Sequence, residues 1–281
     1  MKNKIYYLGP EASYSDCAQK LFVEKLHLTG YESVAVHSIF ALIKKLAQEE
    51  NRGALAVVPI ENSVEGVVRE TVDNLSLLKD TSMKIIAETS LPVCHCLASF
   101  AHSLNDIKVV ISHPQAIAQC YGFINENLSE DVILKHELST AQALRSLTEE
   151  DCSVAAIGSE YAARLYGVPI LKTEINDVES NKTRFVLIGE KQSKITGNDK
   201  TGFSFSTPNT PGALCKILNI LDAYHINMTY IDSRPSKNLL GEYVFYVDID
   251  GHSLSENVAK AIFEILQNVK DFQYFGSYTK V

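Results

Sequence analysis

The chain has 281 residues, of which 46% are hydrophobic and 21% are charged, a composition that predicts one large or two ordinary well-buried domains and argues against disorder. Its formal net charge of −8 excludes the basic surface typical of nucleic-acid-binding proteins. No apolar run approaches the ~18 residues of a transmembrane helix, so no membrane association is expected.

The first residues lack the apolar segment of a signal peptide. The six cysteines are scattered along the chain, mostly in apolar surroundings: Cys17, Cys94, Cys96, Cys120, Cys152 and Cys215. Without an export signal, such cysteines are expected to be reduced and buried. We therefore expect a cytoplasmic protein.

Residues 1–190 alternate between strand and helix patterns, which predicts an α/β domain with a largely parallel sheet. Strands are predicted over residues 4–8, 33–36, 54–60, 108–111, 132–136, 154–157 and 185–188, with one or two more over 83–100. Helices are predicted over residues 14–22, 40–47, 67–78, 116–124, 141–147 and 161–166. The order of these elements predicts two lobes, residues 1–78 with 170–190 and residues 79–169, around a cleft that can close.

The strongest candidate for chemistry is the junction before the buried strand at 185–188. Arg184 could hold a carboxylate through two hydrogen bonds, and Thr183 could donate a hydrogen bond beside it. Asn62 and Ser63 follow strand 54–60, and ligands of α/β sheets bind at strand ends. Taken alone, the junction could equally be a loop threonine and a surface arginine at the start of a strand.

Two predicted helix starts add polar groups. Ser13 follows the Gly9-Pro10 turn, and Ser112 and Gln115 flank a second start. Helix N-termini attract anions, although a plain N-cap is the simpler explanation for Ser13.

A metal site is not expected. In a strand, Cys94 and Cys96 would face away from His95, so the three could not bind one ion together. The sequence has no second Cys/His cluster at ligand spacing.

The pattern changes after a polar linker at residues 191–200. Residues 201–281 predict the order βαββαβ, with strands over 202–206, 228–231, 243–249 and 272–278. Thr210, followed by Pro211, and Ser253 are the expected N-caps of the two helices. The exposed edges of such a four-stranded sheet commonly pair with a second copy, so we expect a homodimer or a homotetramer.

Short motifs stand in a fixed order along nearly the whole chain: Gly9-Pro10 with Ser13-Tyr14-Ser15, Pro59-Ile60-Glu61-Asn62-Ser63 with Glu65-Gly66, Ser112-His113-Pro114-Gln115, Ser139-Thr140-Ala141, Asn181 with Thr183-Arg184-Phe185, Pro211-Gly212-Ala213-Leu214, and Ser233-Arg234-Pro235. With these motifs the chain closely resembles prephenate dehydratase with a C-terminal ACT regulatory domain. It departs from the family where Ala12-Ser13-Tyr14-Ser15 replaces the usual Gly-Thr-Phe-Ser, and where Asp232 replaces a glutamate.

The resemblance implies a two-lobed, periplasmic-binding-protein-like catalytic domain followed by a ferredoxin-like ACT domain. It implies a lyase of L-phenylalanine biosynthesis that converts prephenate to phenylpyruvate, losing water and carbon dioxide, without a metal or another cofactor. Thr183 would assist departure of the ring hydroxyl, and Arg184 would hold a substrate carboxylate. The other residues implied at the site are Asn62, Ser63, Ser13, Ser112, Gln115 and Phe185.

The resemblance also implies feedback inhibition by L-phenylalanine, bound around Gly212, Ala213, Leu214 and Ser233. Two alternatives stay open. An arogenate dehydratase would act on the amino analogue of prephenate, and a non-catalytic amino-acid sensor would also suit a two-lobed cleft with an ACT domain. The intact Thr183-Arg184-Phe185 motif favours an enzyme.

Overall fold

The computed structural model describes residues 3–48, 53–190, 193–236 and 242–281. Residues 191 and 192 of the predicted linker lie outside these ranges. The strands are β1 (Asn3–Leu8), β2 (Tyr31–Val36), β3 (Leu55–Asn62), β4 (Gly66–Val67), β5 (Lys84–Pro92), β6 (Cys96–Ser99), β7 (Val109–Ser112), β8 (Ile133–His136), β9 (Val154–Gly158), β10 (Ile170–Lys172), β11 (Lys182–Gly189), β12 (Asp199–Ser206), β13 (Met228–Pro235), β14 (Tyr243–Asp250) and β15 (Asp271–Lys280).

The helices are α1 (Tyr14–Lys25), α2 (Ile39–Leu46), α3 (Arg69–Asn74), α4 (Pro114–Ala118), α5 (Tyr121–Asn127), α6 (Thr140–Arg145), α7 (Glu160–Leu165), α8 (Ala213–Ala223) and α9 (Glu256–Leu266). Short 3₁₀ turns cover Leu75–Leu78 and Leu104–Asp106. None of the helices in the described ranges is both long enough and apolar enough to cross a lipid bilayer.

The α/β class is confirmed, but the sheets are mixed rather than largely parallel. In the described residues a ten-stranded sheet runs through both domains in the order β13-β14-β12-β15-β5-β11-β3-β1-β2, with β4 beside β3. A five-stranded sheet in the order β10-β6-β9-β7-β8 forms the second lobe. In the catalytic domain, apart from the short β3–β4 pair, the antiparallel pairs of the described residues involve the strands that adjoin the crossings between lobes, β5, β6, β10 and β11. The pairs β12–β14, β12–β15 and β13–β14 of the C-terminal domain are also antiparallel.

The lobes divide differently from the predicted boundaries. β5 pairs with β11 along its whole length and so belongs to the first lobe. β10 pairs with β6 and so belongs to the second. The crossings therefore lie between β5 and β6 and between β10 and β11. Hydrophobicity alone could not place β5, because both lobes offer it an apolar partner strand.

The predicted helix over 116–124 is broken in two. The backbone carbonyl of Gln119 accepts a hydrogen bond from the Asp177 amide at 2.8 Å, and the Asp177 carboxylate accepts from the Gly122 amide at 3.1 Å. A loop distant in sequence thus takes groups that a continuous helix would have paired internally.

Two predicted N-caps are also wrong. Gly212, with φ of 78°, caps α8 instead of Thr210, because a left-handed residue turns the chain after Pro211. Ser255 occupies the N-cap of α9. The hydroxyl of Ser253 is hydrogen-bonded to Tyr274 Oη at 2.9 Å instead.

The two domains share a strand pair. β15 runs parallel to β5, with Thr279 opposite Ala87 and Lys280 opposite Glu88. Gly276 lies so close to Ile85 that a β-carbon there would collide with the Ile85 backbone. The C-terminal domain is therefore an extension of the catalytic sheet rather than a separate body on a tether.

Candidate active site

A cavity of about 400 Å³ lies between the lobes. Four helices begin at its wall, because Ser13, His37, His113 and Ser139 all line it and serve as or adjoin the N-caps of α1, α2, α4 and α6. Among its described lining residues there is no Lys or Arg. The positive ends of helices and neutral polar side chains are therefore what the cavity offers to an anion.

Asn62 and Thr183 meet at this cavity. Asn62 lies at the end of β3, directly opposite Thr183 in the register of β11. The Asn62 Oδ1 atom accepts hydrogen bonds from the backbone amides of Val64 and Glu65 at 3.0 and 2.9 Å. Because backbone amides only donate, these bonds fix the orientation of the Asn62 side chain.

That orientation determines the role of the threonine hydroxyl. Asn62 Nδ2 donates to Thr183 Oγ1 at 2.9 Å, so Oγ1 is an acceptor in this bond. The hydroxyl proton of Thr183 is then directed elsewhere. Since Thr183 lines the cavity, it can offer this proton to a bound molecule.

A chain of amides extends from Asn62 across the hinge. Asn62 Nδ2 also donates to Asn181 Oδ1 at 2.8 Å, and Asn181 Nδ2 donates to Gln119 Oε1 at 2.9 Å. Gln119 Nε2 in turn donates to Glu65 at 3.2 Å. Gln119 belongs to the second lobe and the others to the first lobe or the crossing, so the orientation of Thr183 depends on both lobes.

His95 completes this chain. Its Nε2 atom lies 3.3 Å from Gln119 Oε1, an acceptor, which makes Nε2 the protonated nitrogen. Burial lowers the pKa of His95 to about 4, against a smaller opposing effect of Gln119. His95 is therefore neutral near pH 7. Its Nδ1 atom is buried and has no hydrogen-bond partner among the residues that the structure describes.

These supporting residues were not predicted from the sequence. Asn181 stood in a family motif without a role, and Gln119 was assigned to the interior of a helix. His95 was considered only as a metal ligand. No cluster of three or more His, Cys, Asp or Glu side chains suited to a metal is found in the described ranges.

The other predicted site residues divide into two groups. Ser13, Gln115 and Phe185 line the cavity with Asn62 and Thr183. Ser13 is also the N-cap of α1, accepting from the Asp16 amide. Ser63 and Ser112 do not line the cavity. Ser63 accepts from the Lys182 amide at 2.9 Å, and the buried Ser112 hydroxyl donates to the Ile157 carbonyl at 2.6 Å, so both fix the backbone around the site.

Arg184 also lies away from the cavity. Successive side chains of a strand face opposite sides, and Arg184 points to the side of β11 opposite Thr183 and Phe185. Its guanidinium contacts Glu61, Glu88 and Asp248 at 3.1, 3.0 and 2.8 Å. The expected contact with a substrate carboxylate is therefore replaced by three protein carboxylates, one of them in the C-terminal domain.

In that domain, Gly212, Ala213 and Leu214 line a smaller pocket of about 200 Å³ at the start of α8. Ser233 is not among its lining residues; it lies in β13, opposite Phe245, which does line the pocket. The predicted regulatory residues are thus adjacent, but they form one pocket only in part.

Comparison with known proteins identifies the family to which the chain belongs. The prephenate dehydratase family model matches residues 5–193, and the ACT domain model matches residues 203–267. A prephenate dehydratase of Methanocaldococcus jannaschii is 39% identical over 275 residues, which are 96% of this chain and 94% of that protein.

Two solved structures share the whole fold. Prephenate dehydratase of Arthrobacter aurescens in complex with L-Phe gives a TM-score of 0.85 at 30% identity, covering 98% of this chain and 89% of that chain. A structure described as a quorum quenching acylase gives 0.83 at 27% identity, covering 99% and 98%. Since likeness of fold alone does not fix activity, the assignment depends on the family match and on the side chains in the cleft. By that match, the chain belongs to the prephenate dehydratase family of carbon–oxygen lyases and carries an ACT domain behind its catalytic domain.

Proposed function

We propose that the chain converts prephenate to phenylpyruvate, with Thr183 as the hydrogen-bond donor to the departing hydroxyl. The observation that carries this proposal is the fixed orientation of Asn62, which makes Thr183 Oγ1 an acceptor from the protein and leaves its proton for the ligand.

The reaction needs little more than positioning. The bond from the ring to the carboxylate breaks and releases carbon dioxide, and its electron pair enters the ring. The bond from the ring to the hydroxyl breaks at the opposite carbon, and the hydroxide leaves as water after taking a proton. An ordinary threonine is a poor acid, so Thr183 stabilises the charge that develops on the departing oxygen or relays a proton to it.

The cavity suits a dianion whose carboxylates are not paired with a full positive charge before the reaction begins. Helix N-termini and neutral donors stabilise carboxylates without a full opposite charge. His95 and His113 add no competing positive charge near pH 7, since burial lowers the pKa of both. A cavity of about 400 Å³ is also of the size that binds small molecules.

We also propose that L-phenylalanine, the product one transamination beyond phenylpyruvate, binds the ACT domain and inhibits the enzyme. The pocket at Gly212, Ala213 and Leu214 and the Arthrobacter aurescens relative in complex with L-Phe support this. The free amides at the start of α8 would receive the carboxylate.

The test is ultraviolet detection of phenylpyruvate from prephenate, with and without L-phenylalanine, without added metal or cofactor. Product that decreases with L-phenylalanine supports both parts. Product that L-phenylalanine leaves unchanged contradicts the regulatory part alone. If only arogenate is consumed, the substrate is wrong. If neither is consumed, the chain is not a dehydratase and the sensor interpretation replaces it. A reaction mixture without the protein serves as the blank.

A further inference from the structure

Arg184 forms a buried ion cluster that joins the two domains. We define the Arg184 cluster as Arg184, Glu61, Glu88, Asp248 and Lys200. Each nitrogen of the guanidinium lies within 3.1 Å of a carboxylate on a different strand, β3, β5 or β14. Lys200 of β12 contacts the second oxygen of Glu88 at 2.9 Å.

The centre of the cluster is largely shielded from bulk water, whereas Glu61 and Lys200 at its ends are 41% and 26% exposed. The side chains of Arg184, Glu88 and Asp248 are only 10%, 6% and 7% exposed. Burial would lower the pKa of Arg184, but Asp248, Tyr278 and Glu88 raise it above its usual value, so the guanidinium stays charged. Removing one partner from such a cluster leaves a buried charge uncompensated, which forces the remaining groups to move.

The cluster adjoins the active site through the backbone. Thr183 and Phe185, which line the cavity, flank Arg184 in sequence. The pairing of β11 with β3 shifts register between Arg184 and Phe185, so the strand is irregular on the side of Asn62, while its pairing with β5 stays in register from Lys182 to Leu187. Glu61, which pairs with Arg184, is also the neighbour of Asn62. A displaced Arg184 would therefore disturb both sides of the Asn62–Thr183 hydrogen bond.

From this geometry we propose that Arg184 is a positioning residue: through Asp248 it transmits the placement of the ACT sheet to Thr183, and so couples the regulatory domain to turnover. The proposal rests on the proposed function and adds to it the contact through which the regulatory domain acts. For L-phenylalanine to act through this contact, its binding must change how Asp248 holds Arg184, and through Arg184 the strand end that carries Thr183.

The first experiment compares Asp248→Asn with Asp250→Asn. The first change removes the charge that faces Arg184 while keeping the side-chain shape. The second removes a charge on the same strand that contacts Asn227 instead. We expect Asp248→Asn to lower kcat by ~10-fold or more with little change in KM, since slight misplacement of a catalytic group is costly. We also expect it to shift the half-inhibiting L-phenylalanine concentration by ~5-fold or more, while Asp250→Asn changes neither by more than about twofold. Wild-type kcat and inhibition in Asp248→Asn would overturn the proposal.

A double-mutant comparison separates positioning from general support of the fold. If Asp248 acts through the hydroxyl of Thr183, Asp248→Asn has little further effect on kcat in a Thr183→Ala background. An equal loss in both backgrounds shows that the cluster only maintains the fold, and overturns the proposal.

A second measurement does not depend on turnover. Deuterium uptake by the peptide that covers residues 181–189 is compared in the wild type, Asp248→Asn and Asp250→Asn. Faster exchange in Asp248→Asn alone supports the structural part of the proposal, that Asp248 holds the strand end at Thr183, whether or not the wild type consumes prephenate. Unchanged exchange in that variant overturns it. Failure of the coupling and failure of the dehydratase assignment are thus observed separately.

Discussion

Thr183 owes its chemistry to its hydrogen-bond partners, since its own side chain is ordinary. The Asn62 amide is held by two backbone donors and by Asn181, so it presents a nitrogen to Thr183. A threonine that already accepts such a bond is a preorganised donor. Preorganised donors aimed at developing charge are a large source of enzymatic rate acceleration.

Removing the Thr183 hydroxyl should therefore affect turnover more than binding. We expect Thr183→Ala to lower kcat by ~100-fold or more with little change in KM, as for other lost transition-state donors. Thr183→Ser keeps the hydroxyl and is the matched control, expected within ~10-fold of the wild type because it loses only the methyl group that restricts rotation. Steady-state kinetics on prephenate measure both, and near-normal turnover of the alanine variant would contradict the role.

Asn62 allows a sharper test, because Asn62→Asp removes the amide donor to Thr183 Oγ1 and to Asn181 Oδ1 and reverses the hydrogen bond with Thr183. The carboxylate still accepts from Val64 and Glu65, but it cannot donate to Thr183. The threonine proton then points toward the carboxylate and away from the ligand, so kcat should fall by ~100-fold, as for a lost donor. The exposed Asn127→Asp adds the same charge away from the cleft and controls for it. Equal kinetics in the two variants would refute the assigned direction.

His95 should make folding stability depend on pH. Its pKa in the folded chain is about 4, below the ordinary value of 6.5, so between these values the unfolded chain binds more protons. The contribution of neutral His95 to the free energy of unfolding is thus fully present above pH 6.5. It falls by about 2–3 kcal/mol as the pH drops toward 4. Urea unfolding at pH 7 and 4.5 should show a smaller loss in His95→Gln than in the wild type, while the exposed His102→Gln behaves like the wild type. Identical pH dependence in all three would show that His95 does not titrate as described.

The sequence predicted five residues that line the cavity, because strand ends and helix starts of α/β folds lie together. These residues are Thr183, Asn62, Ser13, Gln115 and Phe185. The expectation that Arg184 contacts a substrate carboxylate could have been avoided in part. Alternation along β11 places Arg184 opposite to both of its neighbours, so the three could not all face one ligand. The identity of its partners was not accessible, since Asp248 comes from another domain. The role of Gln119 could not be predicted, because the sequence shows no sign of the break between α4 and α5.

At the scale of elements, hydrophobic periodicity found most strands and helices within two residues of their observed bounds. It failed where tertiary contacts decide. Asp177 ends α4, a glycine with positive φ delays α8, and β5 joins the first lobe by pairing with β11. The end of α4 and the place of β5 have no local signal, because each depends on a partner distant in sequence. The start of α8 has one, because Gly212 itself permits a positive φ.

The contribution of the contact between β15 and β5 to stability can be tested at Gly276. This residue has φ of 141°, and an added β-carbon would collide with the backbone of Ile85. We expect Gly276→Ala to destabilise the fold by ~3 kcal/mol or more, from backbone strain plus overpacking. Gly197, with φ of 88° and open space around it, gives the control Gly197→Ala, which should cost ~1 kcal/mol from strain alone. Equal urea midpoints of the two variants would mean that the contact between β15 and β5 accommodates the added β-carbon without an extra loss of stability.

At the scale of the whole molecule, the two edges of the ACT sheet differ. At one edge, the end of β15 pairs with β5 through Thr279 and Lys280. At the other, β13 pairs with β14 alone in the described ranges and exposes Ile231 by 46%. Unprotected edges of this kind commonly pair with a second copy, which supports a homodimer, or a homotetramer built from two such pairs.

Ile231→Lys should therefore weaken self-association, because it places like charges on either side of a two-fold axis at the edge. Sedimentation equilibrium should show the apparent mass falling toward that of the monomer. Ile133→Lys makes the same change at an exposed isoleucine on β8, the edge of the other sheet, and should leave the mass unchanged. The same mass for both variants and the wild type would place the interface elsewhere or show that there is none.

The joint between β15 and β5 also bears on how the chain is made. Thr89 Oγ1 donates a hydrogen bond to the Val281 carbonyl, 192 positions along the chain. A ribosome adding ~5–20 residues per second therefore needs roughly 10–40 s to supply this partner after β5 has emerged. Throughout that interval β5 can be flanked on at most one side, and its other edge presents unpaired amides and carbonyls to any strand nearby. The yield of native protein should accordingly depend on what shields this edge during synthesis, such as a chaperone or a lower growth temperature, more than on the stability of the finished fold.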